Sequence, residues 1–390
     1  MQTPTESRPT LRQDERGMAL AIALFAIVVI GALVAGTAFA GQLEMGGGRS
    51  AIATTQAMEQ AETGISDAFE NWDPAWNGLD AGETAIGPVT TNGYNRRSYT
   101  VTRLGGVLLF VRSTGARLNA AGGIVASREL GHLARLLDPD VDVDAAVEGM
   151  GDVRVGGTSK VSGFDTNPAG WGSCTTPLVN VPGVRASGDV STSGGADIIG
   201  APTPTYPFVE NDPTVTPQSF TDVYDALVPA VTRTYSGGTY GGMEPTLNAA
   251  GSCDKTDADN WGEPGDPDYG PLVPLCEGFM PVTLFTGNVT INTGRGQGIL
   301  IVQGNLRIQG TLIFDGIILA TGNIDFHGTG GANSRIYGGM FSANTIDVDD
   351  LISITGAPVI TYSSCAIAAV LSNAAKGLPL SRRGWVQIVY

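Results

Sequence analysis

The stretch GILIVQ-GNLRIQ-GTLIFD-GIILAT-GNIDFH-G, residues 298–328, places a glycine at every sixth position. In each hexad the residues two and four positions after the glycine are apolar, as Leu306 and Ile308 are after Gly304. Side chains two positions apart along a strand point to the same face. Each hexad is therefore predicted to form one short strand with an apolar inner face and with glycine at the corner.

The same spacing recurs earlier in the chain, at Gly151, Gly157, Gly163, Gly188, Gly194 and Gly200. We interpret both blocks as walls of one β-solenoid over residues 148–365, whose stacked strands bury a continuous core. The alternative is an antiparallel meander with coincidental glycine spacing, which six glycines in register disfavour. The left-handed hexapeptide helix also fits poorly, because it places an aliphatic residue where this chain has Gln303, Gln309 and Asp315.

Two segments break this period. Residues 201–281 are interpreted as an insertion with a proline-rich loop and a helix near 217–234, where Phe220, Val223 and Leu227 would share one face. Residues 366–390 are predicted to form a helix and a last strand that cap the open edge of the solenoid. Some outward positions of the hexads, such as Ile317 and Leu319, are apolar and are expected to pack under another layer.

Composition agrees with a mainly β chain of the extracellular kind. Glycine accounts for 55 of 390 residues, charged residues for 15%, and the net charge is −16. Nucleic-acid binding is not expected, because phosphate recognition needs a basic footprint and no long Lys/Arg block is present.

The N-terminus carries a membrane signal. Met18 to Ala40 is 23 residues without a charge, and about 20 helical residues span a bilayer core. Three arginines precede the segment (Arg8, Arg12 and Arg16), which favours a cytoplasmic N-terminus and the bulk of the chain across the membrane. Residues 1–17 would then be a cytoplasmic leader.

Three interpretations compete for this segment. The first is a plain membrane anchor. The second is a signal peptide cleaved after Ala38-Phe39-Ala40, but the apolar run is longer than the apolar core of about 7–15 residues that is usual in signal peptides. The third interpretation is one long helix over residues 18–72. After the apolar run, apolar side chains recur at helical spacing, which predicts that the membrane helix continues as an amphipathic helix. These residues are Met58, Ala61, Ile65, Phe69 and Trp72.

This layout resembles the N-terminus of type IV pilins, and more closely the PilX-type minor pilin family. The family's Arg-Gly-x-x-Leu start matches residues 16–20, and its Ala-Glu pair matches Ala61-Glu62. The resemblance covers about the first 70 residues and implies cleavage by a prepilin peptidase between Gly17 and Met18. Major pilins carry glutamate at the fifth mature position, where this chain has Ile22. That departure points to a minor or tip subunit rather than a bulk subunit.

Gly46-Gly47-Gly48 lies just outside the membrane segment, and an interior glycine costs a helix about 1 kcal/mol relative to alanine. The favoured interpretation is a helix end followed by a second helix from about Ser50, and the alternative is a hinge. Residues 94–137 are predicted to form a small antiparallel subdomain with a hairpin turn at Gly105-Gly106. That arrangement again resembles the pilin head, with His132 as a structural residue.

The four cysteines favour two disulfides in an oxidising compartment. Of three possible connectivities we favour Cys253–Cys276, which would clip a loop poor in core residues, with Cys174–Cys365 as the second pair. A zinc site is not expected, because no CxxC spacing is present and the chain has only His132 and His327.

The loop between Cys253 and Cys276 is acidic. Asp257, Asp259 and Asp268 match part of a calcium-loop spacing, with Gly262 at the sixth position. Trp261 at the fifth position and an aspartate at the twelfth depart from it, so a solvated acidic loop is favoured. No metal and no cofactor are expected.

No common catalytic motif is found, neither GxSxG, HExxH nor a P-loop, and the chain is not expected to be an enzyme. The favoured function is a non-enzymatic minor pilin-like component of type IV pilus or related filament assembly, with other pilins, a prepilin peptidase and the membrane as partners. It would sit in the inner membrane with its bulk in the periplasm, and at the pilus or cell surface after assembly.

The alternative function is a membrane-tethered glycan-binding or glycan-cleaving β-solenoid. Catalysis would then fall to carboxylates of the second block, where Asp315, Asp325, Asp347, Asp349 and Asp350 are found. Glycoside hydrolysis needs two carboxylates about 5–9 Å apart, whereas Asp315 and Asp325 occupy different positions in their hexads.

Overall fold

The computed structural model describes residues 15–168, 171, 179–201, 207–264, 276–327, 334–343, 352–355, 358–380 and 384–388. The helices are α1 (Glu15–Glu70), α2 (Pro217–Leu227) and α3 (Ser364–Ala374), with short 3-10 helices at Pro74–Gly78 and Val228–Ala230. The first strands are β1 (Thr84–Ile86), β2 (Thr90–Asn92), β3 (Asn95–Gly105), β4 (Leu108–Leu118) and β5 (Ile124–Leu137).

In the described part of the chain, sixteen further strands follow, and then two more. The sixteen are β6 (Val147–Gly149), β7 (Val153–Val155), β8 (Lys160–Ser162), β9 (Val184–Ala186), β10 (Val190–Thr192), β11 (Asp197–Ile199), β12 (Phe208–Val209), β13 (Arg233–Tyr240), β14 (Val282–Ile291), β15 (Gly294–Val302), β16 (Leu306–Ile308), β17 (Leu312–Ala320), β18 (Ile324–His327), β19 (Arg335–Ser342), β20 (Ile352–Thr355) and β21 (Val359–Tyr362). The last two are β22 (Lys376–Pro379) and β23 (Trp385–Ile388).

These elements form the predicted fold class, with a long apolar helix, an antiparallel sheet and a large coiled parallel sheet. The antiparallel sheet has the order β1-β3-β4-β5-β22, with β2 beside β3 and β23 beside β5. The hairpin between β3 and β4 turns at Gly105 and Gly106, as predicted, and both have positive φ. The second half of α1 lies across β3, β4 and β5.

The coiled parallel sheet, residues 147–362, repeats in the predicted hexads. Leu300 pairs with Ile318 and Leu306 with Ile324, so one coil takes 18 residues, or three hexads. Gly316 lies inside β17 rather than between two strands, and it shows why this hexad position requires glycine. Its φ is 138°, and a Cβ atom there would lie 2.0 Å from the carbonyl oxygen of Gly298 in the next coil. The inward residues form one apolar core along the stack.

Both glycine blocks belong to this one sheet, as predicted, but the coils do not stack in chain order. Strand β6 of the first block pairs with β19 of the second on one side and with β9 on the other. Strands β7 and β8 likewise pair with β20 and β21. The last coil of the second block is therefore stacked directly on the first coil of the chain.

A second layer covers the outward apolar positions, as expected. Helix α3 lies across β15, β17 and β19, and Ile317 and Leu319 are fully buried. Helix α2 lies nearby, where Gln303 Nε2 donates a hydrogen bond of 2.6 Å to the hydroxyl of Tyr224. The sequence predicted α3 at the end of the stack, and the structure places it along the side.

Three expectations about the outer segments are wrong. The C-terminal strands do not cap the coiled sheet, because β22 and β23 pair antiparallel with β5. Strand β5 is 14 residues long and would otherwise expose an open edge. Within the supposed insertion 201–281, β13 pairs in parallel with β14 and forms a terminal rung of the coiled sheet. Helix α2 ends at Leu227, shortly before Pro229, rather than near 234.

The predicted break at Gly46-Gly47-Gly48 is also wrong, because α1 continues through all three glycines. Helix formation is cooperative, and long helical segments on both sides offset a cost of about 1 kcal/mol per glycine.

Candidate functional site: the exposed helix and its junction with the coiled sheet

The first half of α1 projects from the molecule with its apolar side chains exposed. The segment that begins at Met18 is long and apolar enough to cross a membrane, by length and composition. Exposure continues beyond Ala40, where Leu43, Met45 and Ile52 are each more than 60% exposed. The helix therefore presents apolar surface both within a membrane-length segment and after it.

The second half of α1 packs on the antiparallel sheet. Ala57, Ala61 and Ile65 are buried against it, as the helical spacing predicted for the latter two. The approach is close enough that a Cβ atom on Gly115 would lie 2.1 Å from the carbonyl oxygen of Ala57. An ion pair of 2.5 Å between Arg97 Nε and Asp67 Oδ2 joins the helix to β3.

His132 lies in the core under the end of α1. Its ring is edge-on to Phe69, with centroids 5.7 Å apart, and to Trp385, at 4.7 Å. Its Nδ1 lies 2.8 Å from the carbonyl oxygen of Leu133. This environment is that of the structural histidine predicted from the sequence.

Asn77 connects this helix-and-sheet unit to the coiled sheet. Its Nδ2 donates to the carbonyl oxygens of Ser372, Asn373 and Ala375, at 3.0, 3.1 and 2.9 Å, where α3 ends. Its Oδ1 accepts a hydrogen bond of 2.8 Å from the indole of Trp72. One amide therefore satisfies carbonyl groups that a helix C-terminus leaves without partners.

Two cavities flank this junction. One, of about 450 Å³, lies between Trp72, Asp73, Arg233, Phe279 and Lys376. The other, of about 410 Å³, lies between the end of β5, helix α2 and β22. Lys376 lines both, and its amino group donates 2.8 Å to the carbonyl oxygen of Pro229. Burial lowers the pKa of this amino group.

A charged cluster lies on the first coils of the stack. Arg185 on β9 contacts Asp144 at 2.8 Å, Asp212 at 3.0 Å and Glu148 at 3.6 Å. Burial raises the pKa of Glu148, and the Arg185 guanidinium offsets part of this effect. Hydrogen bonds from Thr214 and Arg185 outweigh desolvation at Asp212 and lower the pKa of its carboxyl.

The described residues of the acidic loop lie at the other end of the stack. Cys253 and Cys276 form a disulfide, with Cα atoms 5.1 Å apart. Trp261 forms a parallel bridge to Gly296 and is buried. Gln297 Nε2 donates to the carbonyl oxygens of Glu277 and Phe279, at 2.5 and 3.1 Å. The described part of the loop is therefore attached to β15, at the start of the second block.

The candidate metal and second disulfide residues are described only in part. Asp257 Oδ1 accepts from the backbone nitrogen of Asp259, in a turn, while Asp268 lies outside the described residues. Among the residues that the structure describes, no group of three or more His, Cys, Asp or Glu side chains could hold a metal ion. Cys365 is disulfide-bonded, and its expected partner Cys174 lies outside the described residues.

The two carboxylates of the glycan alternative that the structure describes, Asp315 and Asp325, lie on different strands. Asp315 is buried on β17, whereas Asp325 lies on β18 and faces Arg307 at 3.8 Å. A corner of the coil at Gly322 separates the two strands. Asp347, Asp349 and Asp350 lie outside the described residues.

The predicted processing residues lie on α1. Gly17 and Met18 are in its first turn, and Ile22, at the fifth position after the predicted cut, is 64% exposed. Sequence reasoning missed Asn77, the Arg185 cluster and both cavities. Each depends on residues far apart in the chain, and none of them leaves a local sequence pattern.

Fold and site together define a class of protein, in which an apolar helix carries an antiparallel sheet with a coiled parallel sheet inserted into it. No family model and no curated protein matches the chain. Among solved structures it is similar to the competence-associated pilin ComZ from Thermus thermophilus, at 13% identity, over 87% of this chain and 98% of that chain. The TM-score is 0.23, too low for the likeness to support a function.

Proposed function

We propose that the chain is a non-enzymatic, minor pilin-like component of a type IV pilus or a related secretion filament. It is made as a precursor that a prepilin peptidase cuts between Gly17 and Met18. The helix anchors it in the inner membrane, with the bulk in the periplasm. The coiled sheet is then presented at the filament tip or the cell surface.

The supporting observation is apolar exposure beyond the length that a bilayer needs. A bilayer core takes about 20 helical residues, which a segment from Met18 supplies before Ala40. Leu43, Met45 and Ile52 lie after that point and are still exposed. Exposed apolar patches of this kind mark interaction surfaces. Apolar helices of neighbouring subunits are the proposed cover, whereas a plain membrane anchor has no use for these residues.

Two further features agree with this proposal. Major pilins carry a glutamate where this chain has Ile22, which suits a subunit outside the filament shaft. The described carboxylates of the glycan alternative lie on different strands, so no specific observation favours a glycosidase.

A complementation experiment tests the proposal. A strain lacking the gene is expected to lose filaments or twitching, and the wild-type chain restores them. A triple variant, Leu43→Ser, Met45→Ser and Ile52→Ser, should enter the membrane but fail to restore them. The matched control is Ile86→Ser, Val89→Ser and Leu104→Ser, because these residues are exposed and apolar but lie on β1, on the connection from β1 to β2, and on β3. Full restoration by the first triple variant would contradict the proposal.

A further inference from the structure

The second cavity lies where the antiparallel sheet meets the inserted coiled sheet. Its walls are apolar and come from the end of β5, the end of α2, the 3-10 helix that follows α2, the end of α3, and β22. The lining residues that make these walls are Leu137, Pro139, Ala226, Pro229, Ala230, Ala374 and Leu378. Leu137 and Leu378 remain 48% and 47% exposed at its edge. A cavity of about 410 Å³ falls within the range of about 300–1,000 Å³ typical of ligand sites.

The rim of this cavity is acidic. Asp138, Asp140 and Asp225 line it and are exposed. Within the described part of the chain, none of the three carboxylates makes an ion pair within 4.0 Å. Lys376 is the one cation of the lining, and its amino group is bonded to the carbonyl oxygen of Pro229. The mouth therefore carries a net negative charge above an apolar floor.

We propose that this cavity is a docking site for a partner polypeptide that inserts an apolar side chain flanked by arginine or lysine. The apolar side chain fills the floor, and the flanking cations meet the three carboxylates. Burial of an apolar anchor supplies affinity, and charge complementarity selects the partner. This inference does not depend on filament assembly, since the cavity is built by the folded chain itself.

The test uses the full-length protein in detergent and three labelled synthetic peptides. The first has one phenylalanine between two arginines, the second replaces phenylalanine by alanine, and the third replaces both arginines by glutamates. Affinity is measured by fluorescence polarisation at low and high salt. The first peptide is expected to bind at least ten-fold more tightly than the other two, and more weakly as salt screens the charges.

Variants locate the binding. Ala226→Phe, which fills the cavity without changing the charge, should abolish binding of the first peptide. Asp225→Asn and Asp138→Asn should each weaken it about two- to five-fold, as exposed ion pairs do. Asp197→Asn is the matched control, because Asp197 is exposed on β11, outside the cavity.

Several outcomes would overturn the proposal. Equal binding of all three peptides, or no binding of the first, would contradict the chemistry proposed. Unchanged binding to Ala226→Phe would place the peptide elsewhere. Loss of affinity in Asp197→Asn equal to that in Asp225→Asn would show attraction to the net charge of the chain alone. The aspartate variants keep the proposal testable if Ala226→Phe fails to fold.

Discussion

Gly115 sets the distance between α1 and the antiparallel sheet. A Cβ atom there would lie 2.1 Å from the carbonyl oxygen of Ala57 and 2.3 Å from the nitrogen of Ala61. Both are backbone atoms of a helix, so they cannot move as a flexible side chain can. The contact is therefore one that only glycine allows.

Gly115→Ala is expected to destabilise the helix-and-sheet unit by about 1–3 kcal/mol, the usual range for overpacking. Hydrogen exchange of the amides at 57–68 and 109–116 measures the loss. The control is Gly78→Ala, since nothing lies within 4 Å of a Cβ atom at Gly78. Equal exchange rates in the two variants would contradict the close approach.

Glu148 gives the fold an unusual dependence on pH. Burial raises the pKa of the Glu148 carboxyl above the ordinary value of 4.5. The folded chain therefore holds the proton of this carboxyl more tightly than the unfolded chain does. Ionisation of Glu148 therefore lowers stability as pH rises from about 4.5 through its raised pKa. Asp212, whose pKa is lowered, acts in the opposite direction.

The comparison of wild type with Glu148→Gln isolates this effect, because Asp212 is present in both. The free energy of unfolding of the wild type minus that of the variant should fall between pH 4 and pH 7. Urea unfolding followed by tryptophan fluorescence at several pH values measures this difference. A difference that stays constant, or grows with pH, would show that the Glu148 carboxyl is not destabilised by burial.

At the scale of elements, Asn77 holds the end of α3 against the 3-10 helix at Pro74–Gly78. Asn77→Ala removes hydrogen bonds to three carbonyl groups. If those groups stay buried, the free energy of unfolding should fall by about 1–3 kcal/mol. Faster hydrogen exchange at residues 372–376 is the expected sign. Asn71→Ala is the control, because Asn71 follows the end of α1 and its side-chain amide donates to the carbonyl oxygen of Asp67, four residues earlier. Identical exchange in both variants would exclude this role for Asn77.

Elements with a strong local period could be predicted from the sequence. The hexads of residues 298–328 have inward residues at fixed positions, and the helical spacing of Ala61 and Ile65 marks the buried face of α1. The partners of short strands could not be predicted in this way. Alternation in Trp385–Ile388 suits any sheet edge, and only the long unpaired edge of β5 explains why it pairs there.

The stacking order of the coils was equally beyond the sequence. Glycine spacing is a local property, whereas the contact of β6 with β19 joins residues nearly 200 positions apart. The same holds for the site, where the long apolar segment of α1 has a sequence signature and the junction cavities have none.

At the scale of the whole molecule, the coiled sheet is an insertion between two neighbouring strands. Leu137, where the chain leaves the antiparallel sheet, is the register partner of Lys376, where it returns. The two ends of the inserted segment are therefore adjacent, the usual geometry of a tolerated domain insertion.

Replacing residues 138–375 by Asn-Gly should join β5 and β22 in a two-residue hairpin. The shortened chain is expected to retain α1 and the antiparallel sheet, because their core lies almost entirely outside the removed segment. Hydrogen exchange of β3, β4 and β5 in detergent measures this. Exchange as fast as in an unfolded chain would show that the sheet depends on the coiled sheet for its stability.

The position at which the N-terminus is cut distinguishes the three interpretations of the apolar segment: a plain anchor, a signal peptide and a pilin-like precursor. The mature chain, purified from cells that have a prepilin peptidase, is measured by intact mass and by its N-terminal peptide. The proposed pilin-like function predicts a chain that begins at Met18, and Gly17→Val should block the cut while Ala40→Val leaves it unchanged. A mature chain that begins at Gly41, or one that keeps Met1, would contradict it.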